Sequence, residues 1–223
     1  MKPPIVTLAT DFGERDGYVG AMKGVILQRC PHTQVIDVTH AIPPQNVDFG
    51  AFILRTYVPF YPAGTIHVVV VDPGVGSTRR GIVIEAGGHY FVGPDNGLFS
   101  FVLARGKARV FSLTNRAYFR DGVSQTFHGR DIFSSVAGYL AAGTPVTDFG
   151  PQIDNPVVLP GVTPRIEENR IHGEVIHVDH FGNLITNISP EDIASIARPG
   201  ANFRLTILGR RLDMLHTCYA DVP

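Results

Sequence analysis

The spacing of hydrophobic positions changes several times along this chain, and each spacing predicts a type of element. In the first 150 residues, short β-branched runs typical of strands alternate with stretches whose apolar positions recur at helical intervals. Strands are predicted at 5–8, 35–38, 66–71, 82–85 and 90–92, and helices at 18–29, 47–57 and 131–140. This alternation favours an α/β fold with a mixed, largely parallel sheet and flanking helices.

The pattern changes near Gly150. Residues 151–168 are rich in proline and have no clear period, which predicts a linker. Strand-like runs follow at 173–178, 184–188 and 202–208, with a helix start at 189–192. The chain is therefore expected to have an α/β domain over 1–150, a linker over 151–168 and a small β domain over 169–223.

The stretch at 66–81 reads IHVVVVDPGVGSTRRG and is the leading candidate for a functional site. Its continuous β-branched run predicts a strand buried on both faces. Asp72 directly follows that strand, and Arg79 lies on the loop behind it. Ligands of open α/β sheets bind beyond the carboxyl ends of the strands. These two residues therefore indicate either a site of chemistry or a buried structural ion pair.

Three other loops carry dense polar residues, at 10–13, 127–131 and 179–183. The first two are expected to converge with Asp72 at one edge of the sheet, whereas the third lies in the β domain, as for a site between domains or subunits. Asp11 could accept hydrogen bonds from ribose hydroxyls, or it could cap a helix or form an Asx-turn. His128 is a capping or core histidine or, beside Asp72, a catalytic group.

Phosphate and metal sites are weaker interpretations. The Gly74-x-Gly76 pattern lacks the dinucleotide and P-loop fingerprints, so a tight turn is favoured. His177 and His180 point to opposite faces of a strand and cannot share an ion without a bend. The loop aspartates could form a hard-cation site, but arginines accompany two of them. We expect no metal.

Composition limits the classes of partner. The chain has 223 residues, 44% of them hydrophobic and 17% charged, which predicts a compact protein with a real core. The net charge of −1 argues against nucleic acid. Cys30 and Cys218 form no disulfide-type pattern, and no signal-peptide core or membrane-spanning run is evident. A cytoplasmic protein without membrane partners is expected.

Several of these segments occur together, in the same order, in a known family. These segments are TDFG, DGYVGAMKG, IDVTHAIPPQNV, VVVVDPGVGSTRR, PDNGL, FHGRDIF and DHFGNLITNI. In them the chain resembles the S-adenosyl-L-methionine (SAM) hydroxide adenosyltransferases, which are adenosine-forming SAM hydrolases related to the fluorinating and chlorinating enzymes. The resemblance extends to residues 219–223. It implies an α/β N-terminal domain, a small C-terminal β-barrel-like domain, and a homotrimer that binds substrate between neighbouring subunits.

The resemblance also implies roles for individual residues. A water-activating triad falls on Asp72, Arg79 and His128, in which His128 could accept or relay the proton. The halogenating relatives carry an uncharged residue at the position of Asp72, so a carboxylate there favours water over halide. The implied substrate-binding residues are Asp11 for the ribose hydroxyls, Asn183 and Phe181 for the methionine and adenine parts, and Asp179 for the methionine amine.

The expected reaction is hydrolysis of SAM to adenosine and L-methionine by attack of activated water at C5′, without a cofactor. The alternatives are a non-catalytic binder of adenosine or SAM, a metal-dependent hydrolase that uses the aspartates, and a SAM-dependent halogenase. Family members continue beyond YADVP with further strands, so the β domain ending at Pro223 is expected to be incomplete and to bind substrate more weakly.

Overall fold

The computed structural model describes residues 2–161, 163–196 and 204–212. The strands of the main sheet are β1 (Ile5–Thr10), β2 (Gln34–Thr39), β3 (Ile66–Val70), β4 (Gly81–Ala86), β5 (His89–Pro94) and β6 (Arg109–Ser112). Their helices are α1 (Tyr18–Arg29), α2 (Val47–Tyr57), α3 (Ser100–Ala104) and α4 (Ser134–Ala141). The sheet has the order β2-β1-β3-β5-β4-β6, and only β4 runs antiparallel to its neighbours. The mixed, mostly parallel α/β fold is confirmed.

Strand β3 lies at the centre of the molecule and is buried along its whole length. Val68 and Val70 pack into the core beneath α1 and α4, whereas Val69 and Val71 pack on the opposite face with residues of α2 and the start of α3. A strand covered by helices on both faces needs apolar side chains at every position, and the valine run supplies them.

The crossovers leave a switch point between β1 and β3. The chain moves from β1 to β2 on one side and then returns to form β3 on the other side of β1. Thr10 at the end of β1 pairs with Val70 at the end of β3, so the loops that follow the two strands start side by side. A crevice at such a reversal is the usual ligand site of an open α/β sheet.

Two features of the α/β part differ from the sequence prediction. Strand β6 and helix α3 span only four and five residues, too short for a recognisable period. The helix predicted at 131–140 is preceded by a π-helical turn at Gly129–Phe133, and α4 starts at Ser134. The Ser134 backbone N–H and its hydroxyl both donate to the Gly129 carbonyl, which stabilises this wider turn. Such turns are common at functional sites.

The C-terminal part consists of small antiparallel strand pairs and one short helix. The strands are β7 (Arg165–Glu167), β8 (Arg170–His172), β9 (Val175–Val178), β10 (Leu184–Thr186), β11 (Leu205–Ile207) and β12 (Arg210–Leu212). Helix α5 (Pro190–Ile196) starts where predicted, because Ser189 and Asp192 exchange hydrogen bonds in a capping arrangement. Residues 219–223 lie outside the described residues.

The proline-rich segment 152–159, here called the strap, is hydrogen-bonded to the α/β part. Arg80 donates to the side-chain and backbone oxygens of Asn155 at 2.9 and 2.7 Å. The Val157 N–H donates to Asp95 at 2.8 Å, and Arg80 also donates to that carboxylate. The strap is therefore fixed along the same edge of the sheet as the loops after β1 and β3.

No helix in the described ranges is long and apolar enough to cross a membrane.

The buried histidine of β3 makes stability sensitive to acid. His67 is fully buried, and its Nδ1 lies 2.8 Å from the Thr7 hydroxyl. Burial, assisted by His89, lowers the pKa of His67 to about 3, whereas an unfolded chain has a histidine pKa of about 6.5. The unfolded state then binds more protons between these values. Stability is full above the unfolded pKa and falls as pH drops below it.

We therefore expect the free energy of unfolding to decrease as the pH is lowered from about 6.5. The contribution of His67 to this decrease is up to about 1.4 kcal/mol per pH unit. Urea denaturation at several pH values, for the wild type and His67→Gln, measures the effect. The variant should be less stable at neutral pH and have a shallower acid slope. An identical slope in both proteins contradicts the assignment.

Candidate active site

The loop after β3 returns on itself and pairs its first and last charged residues. Arg79 Nε donates to Asp72 Oδ1 at 2.8 Å, and its Nη2 donates to Oδ2, so the contact is bidentate. The Asp72 and Arg79 side chains are only 6% and 11% exposed. The pair is therefore largely shielded from solvent, where charge-assisted hydrogen bonds are strong.

The glycines of this loop allow a backbone path that a side chain would obstruct. Gly76 has φ +77°, and a Cβ there would lie 2.5 Å from the Gln125 carbonyl oxygen. A Cβ on Gly74 would lie 3.2 Å from Arg79 Cγ. The Val75 N–H donates to the Asp72 carbonyl and the Ser77 N–H donates to the Gly74 carbonyl, so the predicted tight turn is present. A side chain at Gly76 would push the loop away from the segment that leads to His128.

His128 completes the cluster. Arg79 Nη2 lies 2.8 Å from His128 Nδ1. A guanidinium can only donate, so Nδ1 is the acceptor and the proton of the neutral ring resides on Nε2. Burial, together with the positive charge of Arg79, lowers the pKa of His128 despite the opposite effect of Asp72 and Asp131. The three residues that the sequence grouped as a triad therefore lie together, with a neutral histidine at neutral pH.

Asp131 anchors the chain on both sides of His128. Its fully buried carboxylate accepts hydrogen bonds from Arg120 at 2.8 Å, from Arg130 at 2.6 and 2.9 Å and from the Ser124 N–H at 2.9 Å. Burial alone would raise the pKa of Asp131, but these hydrogen bonds outweigh it and lower the pKa. Its oxygens are committed to structural contacts.

A cavity of about 400 Å³ lies at the switch point between β1 and β3. Asp11, Asp72 and His128 line it, and Phe12, Tyr18 and Phe127 form an aromatic wall with edge-to-face contacts of 5.3–6.0 Å between ring centroids. A second cavity of about 450 Å³ lies between α2 and β10, and Arg55 is the one charged residue among those that line it. The titratable cluster therefore belongs to the first cavity.

Asp11 faces the cavity and joins two loops. Its Oδ2 accepts a hydrogen bond from the Gln45 N–H at 2.8 Å. This contact spans 34 residues, so Asp11 is neither a helix cap nor a local Asx-turn. Gln45 also lines the cavity and has the unusual φ of +63° for a residue with a side chain.

The substrate residues predicted in the β domain lie elsewhere. Asp179, Phe181 and Asn183 form the turn between β9 and β10. The Asp179 carboxylate accepts hydrogen bonds from the backbone N–H groups of Phe181 and Asn183 and from the Asn183 side chain, at 2.6–2.9 Å. The side-chain hydrogen bond from Asn183 is the main cause that lowers the pKa of Asp179. Phe181 is 86% exposed. None of the three lines the cavity at the switch point.

The residues considered for a metal have other partners. The His177 ring packs on Phe52 and Phe49, with centroids 4.5 and 4.9 Å apart. Within the described part of the chain, no group of three His, Cys, Asp or Glu side chains is placed to hold a metal ion.

The sequence interpretation missed the aromatic wall and Gln45. Phe12 and Phe127 directly adjoin Asp11 and His128, and that adjacency was the available signal. Tyr18 lies within the family-like segment DGYVGAMKG, but no local pattern at Tyr18 or Gln45 indicated a cavity, because both residues reach it only through the packing of segments distant in sequence.

The sheet and its charged switch-point cavity define an α/β protein with a candidate small-molecule site at the carboxyl edge of parallel strands. The chain belongs to the SAM hydroxide adenosyltransferase family. The model of that family's N-terminal domain matches residues 6–150, and the model of its C-terminal domain matches residues 173–223.

Individual relatives agree with this membership. The chain is 46% identical over 185 residues to an (R)-S-adenosyl-L-methionine hydrolase of Salinispora tropica, covering 81% of this chain and 70% of that protein. The crystal structure of an uncharacterized conserved protein from Thermotoga maritima matches with a TM-score of 0.85 and 34% identity, covering 98% and 85% of the two chains. A fluorinase of Actinoplanes is 25% identical over 218 residues, covering 85% of this chain and 73% of that protein.

Proposed function

We propose that this protein hydrolyses SAM to adenosine and L-methionine. The observation that carries the proposal is the Asp72–Arg79–His128 cluster beside a cavity at the switch point of the sheet. Membership of the SAM hydroxide adenosyltransferase family and the similarity to a named SAM hydrolase support the same reaction.

The chemistry is a direct displacement at C5′. A water oxygen forms a bond to C5′ while the C5′–S bond breaks and its electron pair stays on sulfur. The sulfonium leaves as neutral L-methionine, so the leaving group needs no acid, and one water proton is released in total. Catalysis then depends on activating the water and aligning it with the C5′–S bond.

The three residues have different roles in this proposal. Asp72 orients the water and accepts its proton. Arg79 holds Asp72 and stabilises the developing hydroxide electrostatically. His128 Nδ1 already accepts a hydrogen bond from Arg79, so we assign it a donor role through Nε2–H rather than proton acceptance.

Asp11 is proposed to hold the ribose hydroxyls. It lines the same cavity as Asp72, and its Oδ1 has no hydrogen-bond partner among the described residues. A carboxylate beyond the end of the first strand is well placed for this contact.

A second copy of the chain is proposed to complete the site within a homotrimer. Asp179, Phe181 and Asn183 form an ordered turn whose phenyl ring is exposed, and they do not line the cavity of their own chain. They would contact methionine and adenine in a neighbouring subunit. Sedimentation velocity tests the trimer.

Mixed oligomers test the shared site. Asp72→Asn and Phe181→Ala subunits, unfolded and refolded together at equal ratio, should recover about a quarter of the wild-type activity when each site uses two chains. The two variants refolded separately are the controls. A mixture no more active than the separate variants contradicts the proposal.

The domain boundaries and compartment remain predictions. We propose an α/β domain over 1–150, a linker over 151–168 and a barrel-like β domain over 169–223, supported by the two family models and the small antiparallel pairs. A reducing cytosol is proposed because the cysteines show no disulfide-type pattern.

Product analysis in ¹⁸O-water tests the reaction. Incubation with SAM should release equal amounts of adenosine and L-methionine, with ¹⁸O in the 5′-hydroxyl of adenosine.

The same assay separates the alternative functions. Activity unchanged by a chelator argues against a metal-dependent hydrolase, and halogenated nucleoside formed with chloride or fluoride would identify a halogenase. Tight binding of SAM without products overturns hydrolysis.

The lowered pKa of His128 gives a pH prediction. A protonated ring would place an N–H on Nδ1 against the Arg79 N–H, so kcat/KM should be level near pH 7 and fall once the pH drops through a value below about 6.5. The amide oxygen of His128→Asn can replace Nδ1 as acceptor but does not titrate. Initial rates from pH 5 to 8 should therefore lose this acid limb in the variant, and its persistence contradicts the assignment.

A further inference from the structure

A second polar network lies directly behind the Asp11 loop. The buried Thr10 Oγ1 lies 2.9 Å from His40 Nδ1, and His40 Nε2 lies 3.0 Å from Asp37 Oδ1. Lys23 Nζ contacts the other oxygen of Asp37 at 2.5 Å. None of these four residues lines the cavity, so the proposed reaction leaves the network without a role.

The donors and acceptors in this network have a defined direction. The carboxylate of Asp37 can only accept, so His40 donates to it through Nε2–H, and Nδ1 of the neutral ring then accepts from the Thr10 hydroxyl. The Thr10 oxygen in turn accepts the N–H of Phe12 at 3.2 Å. Thr10 is fully buried, so this Asp–His–Thr arrangement cannot present a nucleophile to a ligand.

His40 joins the two loops that carry the cavity wall. Its carbonyl accepts the Gly13 N–H at 2.8 Å, and its ring holds Thr10, the residue before Asp11. Asp11 itself accepts the N–H of Gln45, which also belongs to the loop after β2. The end of β1 and the loop after it are thus hydrogen-bonded to the loop after β2 at Thr10, Asp11 and Gly13.

We propose that His40 is a positioning residue that acts through Thr10 to fix Asp11, and thereby selects ligands with an intact ribose. This inference rests on the proposed ribose role of Asp11. Without the bond from Thr10, the backbone from Thr10 to Gly13 loses its lateral support, and the Asp11 carboxylate no longer meets both hydroxyls at once.

The chain contains a matched control. On the same strand, the Thr7 hydroxyl lies 2.8 Å from Nδ1 of His67, another buried histidine, which is remote from the cavity. Replacement of His67 should lower stability as replacement of His40 does, without touching the Asp11 loop.

The test measures Kd for adenosine and 2′-deoxyadenosine by calorimetry, together with Tm. In His40→Gln the side-chain amide can reach Asp37 but not Thr10. The preference for adenosine over 2′-deoxyadenosine should then fall by about ten- to a hundredfold, which is the usual effect of losing a hydrogen bond to a charged group. In His40→Asn the amide oxygen can replace Nδ1, so the preference should be largely retained. His67→Gln should keep the wild-type preference despite a lower Tm.

Thr10→Val and Thr10→Ser provide an independent pair. The valine variant, which lacks the hydroxyl, should lose the preference, and the serine variant should keep it. A preference unchanged in His40→Gln and Thr10→Val overturns the inference, as does a wild type that binds both nucleosides equally. Failure of the proposed function is separate, because it is recorded as absent products with wild-type protein and SAM.

Discussion

Asp72→Asn is expected to lower kcat for adenosine release by about 10²- to 10⁴-fold, the usual contribution of a positioned general base. The amide keeps the shape of the side chain and can still accept from Arg79, so the loop after β3 should persist. It cannot accept the proton of the attacking water. Initial rates at saturating SAM, with products separated by chromatography, measure the effect.

Asp95→Asn is the matched control for this experiment. Asp95 is also buried and also pairs with an arginine, the neighbouring Arg80, but it does not line the cavity. Its replacement should reduce stability and leave kcat close to that of the wild type. A wild-type kcat in Asp72→Asn, or an equal loss in both variants, would contradict the role of Asp72.

Asp131→Ala is expected to lower the free energy of unfolding by about 3 kcal/mol, the lower end for removing one partner of a buried ion pair. The lower end applies because Arg120 and Arg130 are 36% and 30% exposed and can turn to water. The Ser124 N–H also loses its acceptor. Urea denaturation at pH 7 measures the loss.

The Asp131 variant should also lose activity, because the residue anchors the chain before and after His128. Glu85→Gln is a suitable comparison, since Glu85 pairs with Arg109 at the surface, where such a pair contributes about 0–1 kcal/mol. Equal stability losses in Asp131→Ala and Glu85→Gln would show that the buried anchor is unimportant.

Local signals explain why much of the fold could be predicted. The helices at Tyr18–Arg29 and Val47–Tyr57 were predicted with the observed bounds, because apolar residues recur close to helical spacing in both. The strands at 82–85 and 90–92 were likewise predicted, and the structure pairs them as the antiparallel β4–β5 hairpin. Strand β6 was missed because it is recognisable only through its pairing with β4.

The candidate site was only partly accessible from the sequence. The position of Asp72 after a buried strand indicated a site, and the 127–131 loop was expected to converge with it. The assignment of Asp72, Arg79 and His128 as one triad depended on family resemblance, because Arg79 and His128 are 49 residues apart. The aromatic wall and the anchoring role of Asp131 depend on how distant loops pack, which no local pattern reports.

The strap determines where an N-terminal fragment should end if the α/β part is expressed separately. The N-terminal family model ends at residue 150, and a fragment ending there would lack the Asn155 partner of Arg80 and the Val157 N–H that satisfies Asp95. A fragment ending at residue 161 keeps both. The hydrogen bonds therefore favour the longer fragment.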